Sequence, residues 1–385
     1  MEVYLDNAST TQVSAAVREK MLPLLGEEFG NPSSLHRKGL TAEAVFRQAA
    51  ANVAECLRVQ EKEIYFTSGG TESNNWAILG AARAKSRQGK HVITSTIEHP
   101  SVSAAFDELA REGFEVTVLP VGETGLIDPE ELRSALRPDT VLVSLMMVNN
   151  EIGTVEPIET IGQILKMFSP QTVFHVDAIQ AFGKLAFSPK TWGIDLLSGS
   201  AHKIHGPKGT GFLYISDKVR ILPIIYGGGQ QKGLRSGTEN MPGIAGLGEA
   251  AKEAQAHLGS NRAAMYGLRH QLVSGLKALE DVSVNGPEDD QFVAPHIVSA
   301  TFKGVRSEVL LHALEDKGIY ASAGSACSSH KREISPVLAA IGMDRARAES
   351  TLRFSLCRTN TAEEIAYTLS VLDELLPQLR RFTRR

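Results

Sequence analysis

Between residues 41 and 222 the chain alternates between helical spacing of apolar side chains and short runs of β-branched and aromatic residues. The helical spacing predicts helices over 41–57, 72–88, 101–112 and 129–136. The short runs predict strands over 63–67, 91–95, 115–120, 141–147, 172–176 and 211–215. Helices between successive strands are what parallel pairing requires, so the pattern predicts βαβ units and a mostly parallel sheet covered on both faces. A glycine-rich stretch, 227–237, then leads into a long helical pattern over 241–279. Beyond it the character changes, with strands predicted over 296–302 and 318–322 and helices over 308–316, 335–341 and 362–376. The expected architecture is α/β, with a large domain over 15–255 and a smaller α+β domain over 256–385. Residues 1–14 are expected to pack onto the smaller one.

Composition narrows the function without naming it. Of the 385 residues 42% are apolar and 22% charged, with a net charge of −4, which is ordinary for a globular protein. Mild acidity and the absence of a polybasic cluster argue against nucleic acid or an anionic membrane as partner. No apolar run reaches the ~20 residues of a membrane helix, and the first residues lack the form of a secretory signal. Three cysteines, Cys56, Cys327 and Cys357, form neither a CxxC pair nor a metal-ligand spacing, so no metal site is expected. So sparse and odd a count fits a reducing cytoplasm. Cys56 falls in a helical pattern and reads as a core residue.

Ligands of open parallel sheets bind beyond the carboxyl ends of the strands, so the residues that follow each strand matter most. After 64–67 comes Ser68-Gly69-Gly70-Thr71-Glu72, opening a helix. Such a turn either cradles an anion on free backbone N–H groups or merely punctuates the chain. After 173–176 comes Asp177, with Gln180 three residues on. The carboxylate either caps the next segment or pairs with a cation of a bound cofactor. After 194–197 comes S-G-S-A-H-K-I-H-G-P-K-G, placing Ser200, His202 and Lys203 at the same sheet edge. A lysine amine, a phosphate cradle and a strand-end aspartate are the parts a pyridoxal phosphate enzyme needs. In that setting His99 of T-I-E-H-P stands where it would stack on the cofactor ring.

The stretch A-S-A-G-S-A-C-S-S-H-K-R-E, from Ala321, poses a separate question. Structural cysteines are usually buried, yet Cys327 lies among small and polar residues and is followed by His330, Lys331 and Arg332. That placement suits thiolate chemistry, although the three cations read equally as a solvated charge run.

With these residues identified, the chain resembles the cysteine desulfurases (NifS/IscS-like) of the class V aminotransferase group, which are fold-type I pyridoxal phosphate enzymes. The resemblance runs nearly end to end. It covers Y-L-D-N-A-S-T-T from Tyr4, F-G-N-P-S-S-L-H from Phe29, F-T-S-G-G-T-E-S-N-N from Phe66 and E-H at Glu98. It continues with V-N-N-E-I-G-T from Val148, H-V-D-A-I-Q from His175, S-A-H-K-I-H-G-P-K-G from Ser200, R-S-G-T from Arg235, G-S-A-C-S-S from Gly324 and R-F-S-L from Arg353.

The resemblance implies that Lys203 carries the cofactor, that Asp177 partners its pyridine nitrogen and that Gln180 hydrogen-bonds its phenolic oxygen. It implies that Gly70, Thr71, Ser200 and His202 hold the phosphate, with Thr238 entering from the other subunit of a homodimer. Asn150 then lies near the phenolic oxygen and the substrate carboxylate, and Arg353 clamps that carboxylate bidentately. Cys327 matches the nucleophile that takes sulfur from free L-cysteine as a persulfide, leaves alanine, and delivers the sulfur to an acceptor protein. The small residues around Cys327 suit a loop that moves between the two.

The chain departs from the family where Cys357 follows Leu356 in place of glycine; a buried, inert thiol and a reactive one are both readings of it. It also ends at Arg385, before the C-terminal extension with which scaffold-feeding members dock, so no docking expectation carries over to that end. The competing readings are a selenocysteine lyase or small-amino-acid transaminase, the latter needing no Cys327, and a non-enzymatic sulfur or metal relay, against which Lys203, Asp177 and Arg353 together argue.

Overall fold

The computed structural model describes residues 1–323 and 334–383, so Cys327 and the cations that follow it lie outside the described residues. A short strand β1 (Val3–Tyr4) precedes helices α1 (Ala15–Leu25) and α2 (Arg37–Leu57). A seven-stranded sheet follows: β2 (Ile64–Thr67), β3 (His91–Ser95), β4 (Glu115–Leu119), β5 (Thr140–Met146), β6 (Val173–Asp177), β7 (Leu196–Ser200) and β8 (Gly211–Ile215). Its spatial order is β2-β8-β7-β6-β5-β3-β4, with only β8 antiparallel to its neighbours. The α/β architecture with a mostly parallel sheet is as the alternation of elements predicts.

The helices between these strands are α3 (Gly70–Lys85), α4 (Pro100–Arg111), α5 (Pro129–Ala135), α6 (Ile158–Phe168) and α7 (Pro189–Trp192). Side chains alternate across a strand, so neighbouring residues feed opposite layers. Tyr65, Val92, Leu142, Val173, Leu196 and Leu213 join the core formed with Trp76 of α3 and Phe106 of α4. Their neighbours Phe66, Ile93, Val143, Phe174, Leu197 and Phe212 join the opposite core, with Val53 of α2 and Leu165 of α6. Burial on both faces explains why β5 and β6 are enclosed along their whole length, as parallel central strands are.

The helical pattern over 241–279 is two helices, α8 (Met241–Ala256) and α9 (Leu258–Ala278). His257, at φ −119° and ψ 14°, breaks them apart. We propose that the division between the two expected domains falls at this break. Beyond it, β9 (Val282–Asn285), β10 (Ile297–Phe302), β12 (Ser322–Ala323) and β13 (Thr351–Ser355) form an antiparallel sheet in the order β12-β13-β10-β9. The strand between β10 and β12, β11 (Ile319–Tyr320), pairs in parallel with β1.

The first residues join both cores. Val3 and Leu5 pack with Phe302 and Phe354, while Ala8 belongs to the core of the large sheet. Thr11 N–H then bonds the carbonyl of His202 at 2.9 Å. Residues 1–14 therefore run across the carboxyl ends of β6 and β7 as well as along the smaller sheet. Cys56 is partly buried against the large core, its thiol donating to the Ala251 carbonyl at 3.3 Å, and burial pushes its pKa up to about 12. Among the described residues no helix is long and apolar enough to cross a membrane.

Candidate active site

The site is assembled at the carboxyl ends of β6 and β7. Asp177 is the last residue of β6 and is buried. Its Oδ1 accepts from Ile179 N–H at 3.0 Å and its Oδ2 from the Asn74 amide at 2.8 Å. Burial raises its pKa, opposed by those hydrogen bonds and by the charges of His99 and Lys203. β7 ends at Ser200, and one turn of 3₁₀ helix, Ala201–Lys203, brings Lys203 round to face the N-terminal segment. Its amine donates to the carbonyl of Ala8 and, at 2.7 Å, to that of Ser9. The Gln180 amide donates to the same Ala8 carbonyl at 2.9 Å, and His296 meets the Gln180 Oε1 at 3.3 Å.

His99 caps α4, where Pro100 at the first helical position fixes the entry to the helix. Its Nδ1 accepts from Ser101 N–H at 3.1 Å and lies 2.8 Å from Ser101 Oγ. A ring nitrogen that accepts a backbone N–H carries no proton, so the neutral ring holds its proton on Nε2. Burial keeps the ring below its ordinary pKa, with Asp177 opposing and Lys203 reinforcing that shift. The Asn74 amide donates both to Ser101 Oγ, at 2.9 Å, and to Asp177. One asparagine on α3 thus ties His99 to Asp177 through a serine.

A cavity of about 430 Å³ opens beside this cluster, lined by Ser9, Gly70, Thr71, Ser200, His202 and Lys208 among others. Its floor includes the N-terminus of the 16-residue helix α3, a natural anion seat. Gly70 has no spare room: a Cβ there would stand 2.2 Å from Ile179 Cδ1. Ser200 Oγ is buried without a hydrogen-bond partner among the described residues. A donor left unmade in a walled cavity at a helix N-terminus fits a phosphate. His202 reaches Thr10 Oγ1 at 3.3 Å, and burial with Lys203 beside it lowers its pKa to about 4.

Arg353, in β13, is 6% exposed. Its guanidinium donates to Asp6 Oδ1 at 2.9 Å, Ser9 Oγ at 2.7 Å and the Asn150 carbonyl at 2.8 Å. Asn150 is thus joined to Arg353 by its backbone. Ser322 of β12 lies opposite Arg353 in the sheet, so the strand that leads into the Cys327 stretch runs beside the arginine. Thr238 is exposed and does not line the Ser200 cavity. The segment before it is pinned to α3 by a bidentate Arg235–Glu72 pair, at 2.8 and 3.0 Å. Cys357 is buried, as one of its two readings holds.

Asn74, Ser101, Asp6, Ser9 and Thr10 complete the cluster; all but Ser101 lie within the motifs that carry the resemblance, which assign them no role. Another group beside it is Glu98, whose Oε1 accepts from Ser95 Oγ and from Met146 N–H at 3.1 Å. Burial pushes its pKa up to about 8, reinforced by Asp177. An acid whose folded pKa lies above its unfolded value loses stabilising power as pH rises from the unfolded pKa to the folded one. The loss here spans pH 4.5 to 8. Glu98→Gln cannot ionise, so it should melt close to the native protein at pH 5 and above it at pH 9. Parallel melting curves at the two pH values check this; an equal offset at both would contradict a neutral Glu98.

The chain belongs to the class-V aminotransferase family, whose profile matches residues 3–367. Within that family it stands with the cysteine desulfurases. It is 46% identical over 381 residues to the cysteine desulfurase IscS of Methanosarcina thermophila, covering 99% of this chain and 93% of that protein. A solved NifS-like protein superposes with a TM-score of 0.92 at 40% identity, covering 98% of this chain and all of that one. A second solved structure, SspA in complex with cysteine, has a TM-score of 0.81 at 36% identity, covering 93% of this chain and 100% of its own. The family is pyridoxal phosphate-dependent.

Proposed function

We propose that this protein is a cytoplasmic, homodimeric cysteine desulfurase that binds pyridoxal 5'-phosphate, converts L-cysteine to L-alanine and passes the sulfur through Cys327 to an acceptor protein. The observation that carries this reading is the meeting of Asp177 and Lys203, from the ends of the adjacent strands β6 and β7, with His99 from the start of α4. The charges of Asp177 and Lys203 both act on the His99 ring there. In this assignment Gly70, Thr71, Ser200 and His202 hold the phosphate, Asp177 faces the pyridine nitrogen, and Gln180 and Asn150 face the phenolic oxygen. When bound, the cofactor supplies an electron sink that makes a carbanion at the substrate Cα affordable and the substrate sulfur electrophilic.

The remaining chemistry belongs to the chain. Lys203 anchors the cofactor and, once displaced by substrate, moves the Cα proton. His99 covers the ring face and holds a proton on Nε2, from which the departing fragment can be protonated. Arg353 and Asn150 orient the substrate carboxylate. Cys327, as thiolate, attacks the substrate sulfur; the C–S bond breaks, its electrons stay with the carbon fragment, and a persulfide forms without any external oxidant.

Two features support a dimer. Thr238 is exposed and does not line its own subunit's Ser200 cavity, and Leu22, Leu25, Phe29, Leu35 and Leu40 are exposed along α1, α2 and their connection. The acceptor includes iron–sulfur cluster assembly and tRNA thiolation proteins as candidates.

Alanine release from L-cysteine, with a thiol reductant present, tests the reading. Native protein should give alanine and sulfide in equal amounts. Cys327→Ala should lose both by about 10³-fold or more, as expected when a covalent nucleophile is removed. Equal alanine release by the two proteins would favour a transaminase or lyase instead.

A further inference from the structure

A second, smaller cavity borders Lys203 and is lined by Lys184, Cys357, Arg358, Asn261 and Met265 among others. Its interior volume is about 30 Å³, room for one small ion or two waters. Lys184 enters it from the turn after β6. The residue is 6% exposed, and its Nζ has no hydrogen-bond partner among the described residues. Buried ammonium groups are ordinarily paired, because the charge loses its hydration on burial.

Among the described residues, the groups that face Lys184 do not pair it, and His296 is held below its ordinary pKa by its burial and, next, by the Lys184 charge. Lys203 donates to the Ala8 and Ser9 carbonyls here and carries the cofactor in the proposed holoenzyme, so it offers Lys184 no counter-charge in either state. Arg358 is committed to Glu253 at 3.1 Å, and His205 meets the Gln12 carbonyl at 3.0 Å. Cys357 is 6% exposed, with its sulfur 3.1 Å from Thr359 Oγ1. Among the described residues, Lys184, Lys203 and Arg358 line the cavity and no carboxylate does. Burial, reinforced by Lys203 and opposed by Cys357, brings the Lys184 pKa down to about 7, so the amine is poised to take up a proton when a counter-charge arrives.

We propose that this cavity binds a small monovalent anion, of halide or hydrosulfide size, against the Lys184 ammonium. Hydrosulfide as occupant rests on the desulfurase reading, since reduction of a persulfide by a thiol releases it; binding of a halide does not.

The test uses the full chain with its cofactor. Crystals grown in bromide and measured at the bromine edge should show an anomalous peak within about 3.4 Å of Lys184 Nζ. In solution, chloride-35 resonances should be broadened by the native protein and sharpened again by added bromide. In Lys184→Met both signals should vanish. Displacement of chloride by millimolar sodium hydrosulfide identifies hydrosulfide as a ligand of the site. Displacement by bromide but not by hydrosulfide assigns the site to halides. No peak at Lys184 in native crystals overturns the proposal, whether or not Lys184→Met folds. Equal broadening by native protein and a folded Lys184→Met overturns it as well. Alanine release, measured separately, keeps this outcome distinct from failure of the desulfurase reading.

Discussion

Lys203→Ala should lower alanine formation from L-cysteine by about 10³-fold or more, because the group that moves the Cα proton is gone. The side chain also holds the N-terminal segment, through the Ala8 and Ser9 carbonyls. Leaving those carbonyls unmade should cost the cofactor-free protein about 1–3 kcal/mol of stability. The two effects separate in Lys203→Arg. A guanidinium keeps the positive charge and the donors, so much of the stability should return. It does not give up its proton at any pH a protein survives, so activity should stay as low as in the alanine variant. Melting curves and alanine assays on both variants provide the check. Activity in Lys203→Arg above about a tenth of native would mean that the lysine acts through its charge alone.

Much of this site is legible in the sequence because it lies at strand ends. Asp177, Ser200, His202 and Lys203 each follow a run of buried residues, and the sheet brings those ends together by pairing β6 with β7. Gly70 and Thr71 are legible for the same reason, as the turn into α3. Arg353 is harder to place, since T-L-R-F-S puts a charge inside a short alternating run, and the pattern alone does not separate strand from loop. That run is β13, next to β10 in the middle of the smaller sheet. β9 is one residue shorter, V-S-V-N, and borders only one partner among the described residues. In 241–279 the apolar periodicity passes through His257 without interruption, so the break there is set by backbone dihedrals rather than by hydropathy.

Other members of the cluster were hidden for different reasons. Asp6, Ser9 and Thr10 lie in a stretch with no periodicity, and Asp6 meets Arg353 across 347 residues of chain. Only the fold brings them together. Asn74 carries a readable signal. It falls on the same helical face as Ser73, Ala77, Ile78 and Ala81, all buried, so its amide has to find partners inside the protein. Ser101 follows from it, as the residue that faces Asn74 from the first turn of α4. A polar residue on an apolar helical face, in the helix that opens with a glycine-rich turn, is thus a pointer to a site role that the motif alone does not assign.

Arg353→Ala should raise KM for L-cysteine by about 10²-fold, as a charge-assisted, bidentate carboxylate contact of roughly 3 kcal/mol is lost. It should also destabilise the protein, because Arg353 is buried and its loss leaves Asp6 without its cation. Breaking a buried pair by removing one partner costs about 3–5 kcal/mol. Asp6 is only partly enclosed, with 22% of its side chain exposed, so the lower end of that range applies. Asp6→Asn distinguishes the roles. It keeps an oxygen acceptor for the guanidinium and removes the competing carboxylate, so Arg353 stays in place with one less counter-charge. KM should then fall or hold steady while the melting temperature drops modestly. If Asp6→Asn raises KM as far as Arg353→Ala does, the arginine serves to fasten the N-terminal segment, and the substrate carboxylate is held elsewhere. Arg353→Lys sharpens the distinction: one ammonium cannot reach Asp6, Ser9 and the Asn150 carbonyl together, so both KM and stability should be only partly restored.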